Sequence, residues 1–251
     1  MIDTKKYLRQ VRDKKTTRQA ARGMVNFLAL LFDEIQTRKP IESLLELGIA
    51  GGGSHRNFAS AMDSTDKIYG IDIFNLETKN YLNAGKPYHS MGETLSRVTS
   101  EHGNIHFIWD TDVYDPLTPD IVKDTWNVDG FDVIIDDAGT DWPRMRYSLP
   151  IWKKSVRDAY ITLVPDGNGV DAFWNLSHED HMENYNELSK AGLVVFNLEH
   201  EKVIVAGKEQ LYNAHYIGLW LPDWSVAQNT IEKYSDYIVA GKANIKNWSK
   251  E

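Results

Sequence analysis

The sequence predicts an α/β fold, in which helices cover a sheet of mainly parallel strands. From Ile41 onward, short apolar segments with β character alternate with segments of helical character, which is the pattern typical of such sheets. A glycine-rich turn, Glu46 to His55, directly follows the first apolar segment and leads into a helix. The segment from Phe131 to Ile135 has the most buried pattern of the chain and is expected in the middle of the sheet.

Length and composition limit the class of protein. The 251 residues suffice for one large or two small domains, and 42% hydrophobic with 11% aromatic residues predicts a sizeable core. Met1 to Lys15 is polar and no apolar run could span a bilayer, so we expect neither a signal peptide nor a membrane segment. The absence of cysteine excludes disulfides, thiolate metal sites and cysteine nucleophiles. We therefore expect a cytoplasmic protein, and the net charge of −8 makes a nucleic-acid partner unlikely.

Residues 1–40 are predicted to form an N-terminal helical cap on a domain that spans residues 41–251. The first 22 residues carry eight basic side chains against two acidic ones. Such a run is either a solvated helix face or an arm that contacts phosphate or an acidic partner. The segment from Met24 to Ile35 is richly apolar and predicts a buried helix, which Pro40 ends.

The remaining elements follow from periodicity and turn signals. Strands are predicted over Ile41–Leu47, Lys67–Phe74, Ile105–Trp109, Phe131–Ile135, Ala159–Val164, Leu193–Leu198 and His215–Leu221. Helices are predicted over Ser54–Ala61, Glu93–Glu101, Arg144–Val156, Glu179–Ala191 and Ser225–Val239, with Ser54 as the N-cap of the first. Residues 75–87 are predicted to be a loop. No repeat or linker divides the chain.

The glycine-rich turn indicates a ligand site. Strand, glycine turn and helix together bring backbone N–H groups close to a ligand. The glycine spacing after Gly48 does not match the dinucleotide fingerprint, and no lysine follows the glycines as in a P-loop. Glu46 instead precedes the first glycine by two residues, which suits a ligand with an ammonium group. The alternative is an ordinary strand-to-helix turn that is rich in glycine.

Acidic residues follow the ends of the first four predicted strands. They are Glu46, Asp72, Asp110 and the pair Asp136-Asp137. In an open α/β sheet these positions meet at one edge, where ligands bind, and an acid at the end of the second strand accepts hydrogen bonds from ribose hydroxyls. Carboxylates grouped in this way need donors or cations. Each one alone is compatible with a structural turn residue.

These motifs resemble those of the class I S-adenosylmethionine (SAM) methyltransferases. Glu-Leu-Gly-Ile-Ala-Gly-Gly-Gly-Ser, Tyr-Gly-Ile-Asp-Ile and Phe-Asp-Val-Ile-Ile-Asp-Asp, followed by Ser148-Leu149, look like the branch of macrolide and sugar O-methyltransferases and cephalosporin-hydroxylase-like proteins. The resemblance implies a Rossmann-like, seven-stranded methyltransferase sheet with helices on both faces and an antiparallel last strand. It also implies SAM as cofactor, and in many relatives a divalent cation such as Mg²⁺. The cofactor-binding residues it implies are Glu46, Gly48, Gly51, Gly52, Ser54, Asp72, Asp110 and Asp136.

The expected catalytic region departs from the pattern of this branch. Thr140 stands where relatives carry a histidine base, and Asp166 and Asn168 lie where a Glu-Asp pair completes the metal site. Asp137 and Asp141 are therefore the predicted catalytic residues, with Asp137 also the candidate metal ligand. His55 is a weaker candidate for the base. Two aromatic residues, Trp142 and Tyr147, are expected either to line an acceptor pocket or to belong to the core.

The sequence thus predicts a SAM-dependent methyltransferase that O-methylates a small polar metabolite or a saccharide. One alternative is a SAM-binding or sugar-binding protein of the same fold without catalysis. Another is a nicotinamide-dependent oxidoreductase, which the glycine spacing disfavours. A small-molecule acceptor is the expected partner, and a homo-oligomer is compatible with the sequence.

Overall fold

The computed structural model describes most of the sheet and the helices that cover it. The described residues are 1–13, 22–49, 52–73, 104–138, 142–164, 194–197, 201–205, 208–212 and 216–233. Their helices are α1 (Thr4–Asp13), α2 (Arg22–Gln36), α3 (Gly53–Ala61), α4 (Thr118–Trp126), α5 (Trp142–Trp152) and α6 (Trp224–Lys233). Their strands are β1 (Ser43–Leu47), β2 (Lys67–Asp72), β3 (Ile105–Trp109), β4 (Phe131–Asp136), β5 (Val156–Val164), β6 (Val194–Asn197), β7 (Glu201–Val205), β8 (Lys208–Tyr212) and β9 (Tyr216–Trp220). None of these helices is long and apolar enough to cross a bilayer.

The described strands form a seven-stranded sheet and a separate hairpin. The order in the sheet is β3-β2-β1-β4-β5-β9-β6, and β7 pairs with β8. The five strands from β3 to β5 are parallel, whereas β9 runs antiparallel to both of its neighbours. The strand order reverses between β1 and β4, which places a topological switch point at their carboxyl ends. The predicted α/β fold is confirmed, with the antiparallel strand that the methyltransferase resemblance implies.

Side chains that alternate along the strands build a core on each face of the sheet. Leu44 and Val133 belong to the cluster that includes α1, α2, α3 and α6. Leu45 and Ile134 belong to the cluster on the other face, which includes α4 and α5. All four side chains are fully buried. Because successive residues of a strand point to opposite faces, helices on both faces follow from the sequence of these two strands.

The N-terminal helices share their core with the sheet. Tyr7 in α1 stacks on Phe58 in α3, with ring centroids 5.3 Å apart, and Phe32 in α2 meets both rings at 6.2 Å. Ile2 forms a β-bridge with Met62 at the end of α3. The division of the chain at residue 40 stays a prediction, but the cap it describes is built into the main core.

Several predicted boundaries differ from the structure. The predicted helix Arg144–Val156 ends earlier, at Trp152, and a 3₁₀ turn leads into β5, which begins at Val156. The second strand ends at Asp72 and not at Phe74. Helix α4 and the hairpin of β7 and β8 are absent from the prediction. The predicted loop over residues 75–87 and the predicted helices over 93–101 and 179–191 lie outside the described residues.

A buried carboxylate ties the chain together at the amino edge of the sheet. Asp132 in β4 accepts hydrogen bonds from Lys39 Nζ at 3.0 Å, from the Glu42 N–H at 2.9 Å and from the Ser43 N–H at 3.0 Å. Burial alone would raise the pKa of Asp132, but these donors outweigh it and hold the pKa below its usual value. The carboxylate form is therefore the one that stabilises the folded chain.

We expect Asp132 to make the stability depend on pH below about pH 4. A carboxyl with a depressed folded-state pKa stabilises fully above its unfolded pKa and loses this contribution as the pH falls through the folded pKa. Asp132→Asn should lower the free energy of unfolding by about 1–3 kcal/mol at pH 7. Urea denaturation from pH 7 to pH 3 should show the gap between wild type and variant narrowing, and a constant gap would contradict this role.

Candidate functional site

The turn after β1 is fixed by backbone contacts with both neighbouring strands. The Gly48 N–H donates to the Ile71 carbonyl and the Asp137 N–H donates to the Leu47 carbonyl, each at 2.8 Å. Gly48 has φ of 84°, and a Cβ there would lie 2.3 Å from Ala138 Cα. Glycine at this position is therefore required by the close packing of two backbones, which is a different reason from the approach of a ligand.

Asp72 connects the end of β2 to the same turn. Its Oδ2 accepts a hydrogen bond from the Ile49 N–H at 2.7 Å, and the residue is half-buried. Gly70 lies two residues earlier in β2 and leaves room for the Ile49 side chain, since a Cβ at Gly70 would lie 2.3 Å from Ile49 Cδ1. The turn thus rests on β2, and Asp72 lies directly beside it.

Helix α3 begins after Gly52, whose φ of 70° provides the left-handed N-cap. The N-cap is therefore a glycine, which makes no side-chain hydrogen bond. The prediction that Ser54 is the N-cap is wrong, because the helix already begins at Gly53 and Ser54 is its second residue, whose hydroxyl donates to Glu46 Oε1. The first N–H groups of a helix lack partners within it, so this uncapped end is suited to an anion. Gly51 lies outside the described residues.

Glu46 forms a buried pair with His55. Both side chains are fully buried, and His55 Nδ1 lies 2.7 Å from Glu46 Oε2. The imidazole ring also contacts Phe107 of β3, with centroids 5.1 Å apart. Both carboxylate oxygens of Glu46 are thus bonded within the protein. Because His55 is fully buried, it cannot contact a methyl acceptor, so the structure does not support the prediction of His55 as a possible base.

Asp136 lies beneath the edge of the sheet in a hydrogen-bond network that the sequence does not reveal. Its Oδ2 accepts from the Tyr160 hydroxyl at 2.6 Å and its Oδ1 from the Ala138 N–H at 3.2 Å. The Ser148 hydroxyl lies 2.5 Å from Tyr160 Oη and donates to it, because the tyrosine hydrogen is directed to the carboxylate. Burial raises the pKa of Asp136 despite these donors. Its predicted contact with a cofactor stays a prediction.

Asp137 points away from its neighbour and is exposed at the carboxyl end of β4. Desolvation of the carboxyl group and the negative charges of Glu46 and Asp136 raise the pKa of Asp137 well above its usual range. Because the residue is exposed, we regard the two neighbouring charges as the more important cause. A carboxyl with a raised pKa at the edge of the sheet is suited to accept a proton.

Asp110 continues this edge after β3. Asp72 pairs in register with Trp109, so Asp110 follows beside the end of β2. Asp110 is exposed and has φ of 53°, a conformation that few residues other than glycine adopt. Asp72 at the end of β2, Asp110 directly after β3 and Asp137 directly after β4 thus lie at one edge of the sheet, as the sequence predicts. The second predicted catalytic residue, Asp141, lies outside the described residues.

The described residues do not form a metal site. Among them, no group of three or more histidine, aspartate or glutamate side chains is arranged to hold an ion. Asp137 is the predicted ligand, and Thr140, Asp166 and Asn168 lie outside the described part of the chain. Magnesium binding prefers several oxygen ligands around one point, so the residues described here do not fit it.

A groove of about 910 Å³ runs beside α4 and α5. Asp112, Tyr114 and the half-exposed Tyr147 line it, together with Lys154 and Ser155 at its far end. Because the last two residues directly precede β5, the groove extends from the loop after β3 toward the amino edge. It therefore does not place Tyr147 among the acids of the carboxyl edge. The side chain of Trp142 is outside the described part.

No protein-family model and no curated protein sequence matches the chain. Solved structures are similar to it. The SAM-dependent O-methyltransferase of Thermotoga maritima is 12% identical with a TM-score of 0.48, over 85% of this chain and 69% of that chain. The Aeropyrum pernix fibrillarin bound to S-adenosyl-L-methionine is 16% identical with a TM-score of 0.47, over 71% of this chain and 65% of that chain.

A third similar structure is the MycE methyltransferase of the mycinamycin biosynthetic pathway in complex with Mg and SAH. It is 18% identical with a TM-score of 0.49, over 75% of this chain and 43% of that chain. This chain thus spans less than two thirds of the fibrillarin chain and less than half of the MycE chain. At these identities and scores, the likeness assigns neither a substrate nor a role to any residue.

Proposed function

We propose that this protein is a SAM-dependent methyltransferase that methylates a hydroxyl group of a small polar metabolite or saccharide. The observation that supports it most directly is the bond from the Ile49 N–H to Asp72. It joins the turn after β1 to an acid at the end of β2, beside the switch point where open α/β sheets bind ligands. The motif resemblance and the antiparallel β9 support the same assignment.

The residues at this edge match the chemical groups of the cofactor. The uncapped first turn of α3 offers N–H groups to a carboxylate, and Asp72 and Asp110 offer acceptors to ribose hydroxyls and the adenine amine. When bound, SAM supplies a methyl group on a positively charged sulfur. The protein has to align the acceptor oxygen with that methyl group and exclude water.

Asp137 is the proposed general base. Its carboxyl is exposed at the end of β4 and has a raised pKa, which favours the acceptance of a proton. In the proposed step, Asp137 takes the proton of the acceptor hydroxyl as the new carbon–oxygen bond forms. Asp137 later releases this proton to solvent, and bound SAM would supply the methyl group and leave as a neutral thioether.

Release of S-adenosylhomocysteine (SAH) during incubation with a panel of sugars and hydroxylated metabolites tests the proposal. We expect acceptor-dependent SAH release that scales with enzyme concentration. Binding of SAM without turnover on any acceptor would favour the catalytically lapsed protein of the same fold. Binding of NAD in place of SAM would favour the oxidoreductase.

Asp72→Ala is expected to weaken SAM binding by about 1–3 kcal/mol. The substitution removes the acceptor proposed for the ribose and the anchor of the Ile49 N–H in one step. Calorimetry of the folded variant measures this loss. Asp129→Ala is the matched control, because it removes an exposed acid from the opposite edge, before β4. Equal SAM affinity of Asp72→Ala and wild type would contradict the assignment of Asp72.

A further inference from the structure

The two side-chain contacts of Glu46 connect strand β1 to the first turn of α3. Glu46 is the last residue but one of β1, and both of its oxygens are bonded to residues of that turn, Ser54 and His55. Glu46 and His55 are each fully buried. A carboxylate removed from water needs donors to compensate for its lost hydration. The first turn of α3 supplies these donors through side chains and not through its backbone.

We propose that His55 is a positioning residue that acts through Glu46 to hold the first turn of α3 in the shape that binds the amino-acid end of the cofactor. The inference rests on the proposed function and changes the role expected of Glu46. The carboxylate anchors the helix to β1, and the backbone N–H groups of the turn face the ligand.

The partners of Glu46 support this division of roles. Its side chain is inaccessible to solvent and both oxygens are already bonded. Because Glu46 is fully buried, a ligand ammonium could reach its oxygens only if Ser54 or His55 moved away from them. Leaving such groups unpaired costs free energy. An anchor that stays in place on ligand binding avoids this cost.

The N-cap position of α3 carries no side chain. Gly52 is the N-cap residue and makes no side-chain hydrogen bond, and Ser54, the second residue of the helix, directs its hydroxyl to Glu46. The ligand carboxylate can therefore reach N–H groups that a capping side chain would otherwise occupy.

Two contacts fix the His55 ring: the bond from Nδ1 to Glu46 and the contact with Phe107. Its other nitrogen, Nε2, is buried and has no hydrogen-bond partner among the described residues. The hydrogen on Nδ1 is therefore the feature that the site uses. An asparagine amide places a donor close to the position of Nδ1, whereas leucine fills the space without a donor.

The test compares the binding of SAH and of 5′-methylthioadenosine, which lacks the amino-acid end, to wild type, His55→Leu and His55→Asn. We expect His55→Leu to bind SAH at least about tenfold more weakly, with the affinity for methylthioadenosine changed by less than about twofold. His55→Asn should restore most of the SAH affinity. Ser54→Ala removes the donor to the other oxygen of Glu46 and should weaken SAH binding by a smaller factor, again without weakening the binding of methylthioadenosine. This variant replaces His55→Leu in the test if His55→Leu does not fold.

Each other outcome overturns the inference in a recognisable way. Wild type that binds neither SAM nor SAH removes the proposed function and the inference together. Wild type that binds SAH, with His55→Leu binding it equally well, removes the inference alone. An equal loss of SAH and methylthioadenosine affinity, or no rescue by asparagine, shows that His55 serves stability only.

Discussion

Gly48→Ala is expected to destabilise the fold by roughly 3–5 kcal/mol, enough to leave much of the chain unfolded. The φ of 84° disfavours any residue with a Cβ, and that Cβ would lie 2.3 Å from Ala138 Cα. The neighbouring atoms belong to the backbone and cannot move aside as a side chain can. The free energy of unfolding in urea, followed by circular dichroism, measures the effect.

Gly52→Ala provides the matched control for this substitution. Gly52 also has a positive φ, 70°. We expect a smaller loss of about 1–2 kcal/mol, from the conformation alone. If Gly48→Ala is as stable as Gly52→Ala, the packing of the two strand ends around Gly48 is looser than described.

Asp137→Asn is expected to lower turnover by about 10²-fold or more while SAM affinity stays nearly unchanged. Asparagine keeps the shape of the side chain and removes its ability to accept a proton. Turnover on the identified acceptor measures the first effect and calorimetry with SAM the second. Undiminished turnover of the variant would contradict the role of Asp137.

A chelator experiment distinguishes the two roles predicted for Asp137. If Asp137 acts as a base without a metal, treatment with a chelator and re-addition of magnesium should leave wild-type turnover unchanged. Loss and recovery of activity would instead support a metal ligand set completed by residues outside the described part of the chain. Asp129→Asn, which alters an exposed acid before β4, is the control for nonspecific effects of charge.

The sheet is predictable from the sequence because its signals are local. Strand β3 has the predicted bounds, Ile105–Trp109, and the alternation in β1 and β4 defines both faces. The end of α5 is not predictable, because the start of β5 is set by pairing of Val156 with Phe131. Helix α4 is easily missed, since its apolar face is narrow, although Pro119 in its first turn is a start signal.

The candidate site is predictable in outline but not in its bonds. The order of acids after the strands indicates which residues reach the carboxyl edge, as found for Asp72, Asp110 and Asp137. It does not indicate that Asp136 turns inward to Tyr160, because that contact joins residues 24 positions apart through the tertiary fold. The bond between Glu46 and His55 likewise depends on how α3 packs against β1.

Calorimetric titration of the wild-type protein with SAM, SAH and NAD shows directly whether this chain binds the methyl donor. We expect saturable binding of SAM and SAH with one site per chain, and no binding of NAD. Binding of NAD without SAM or SAH, or the absence of binding by all three in the folded protein, would contradict this expectation.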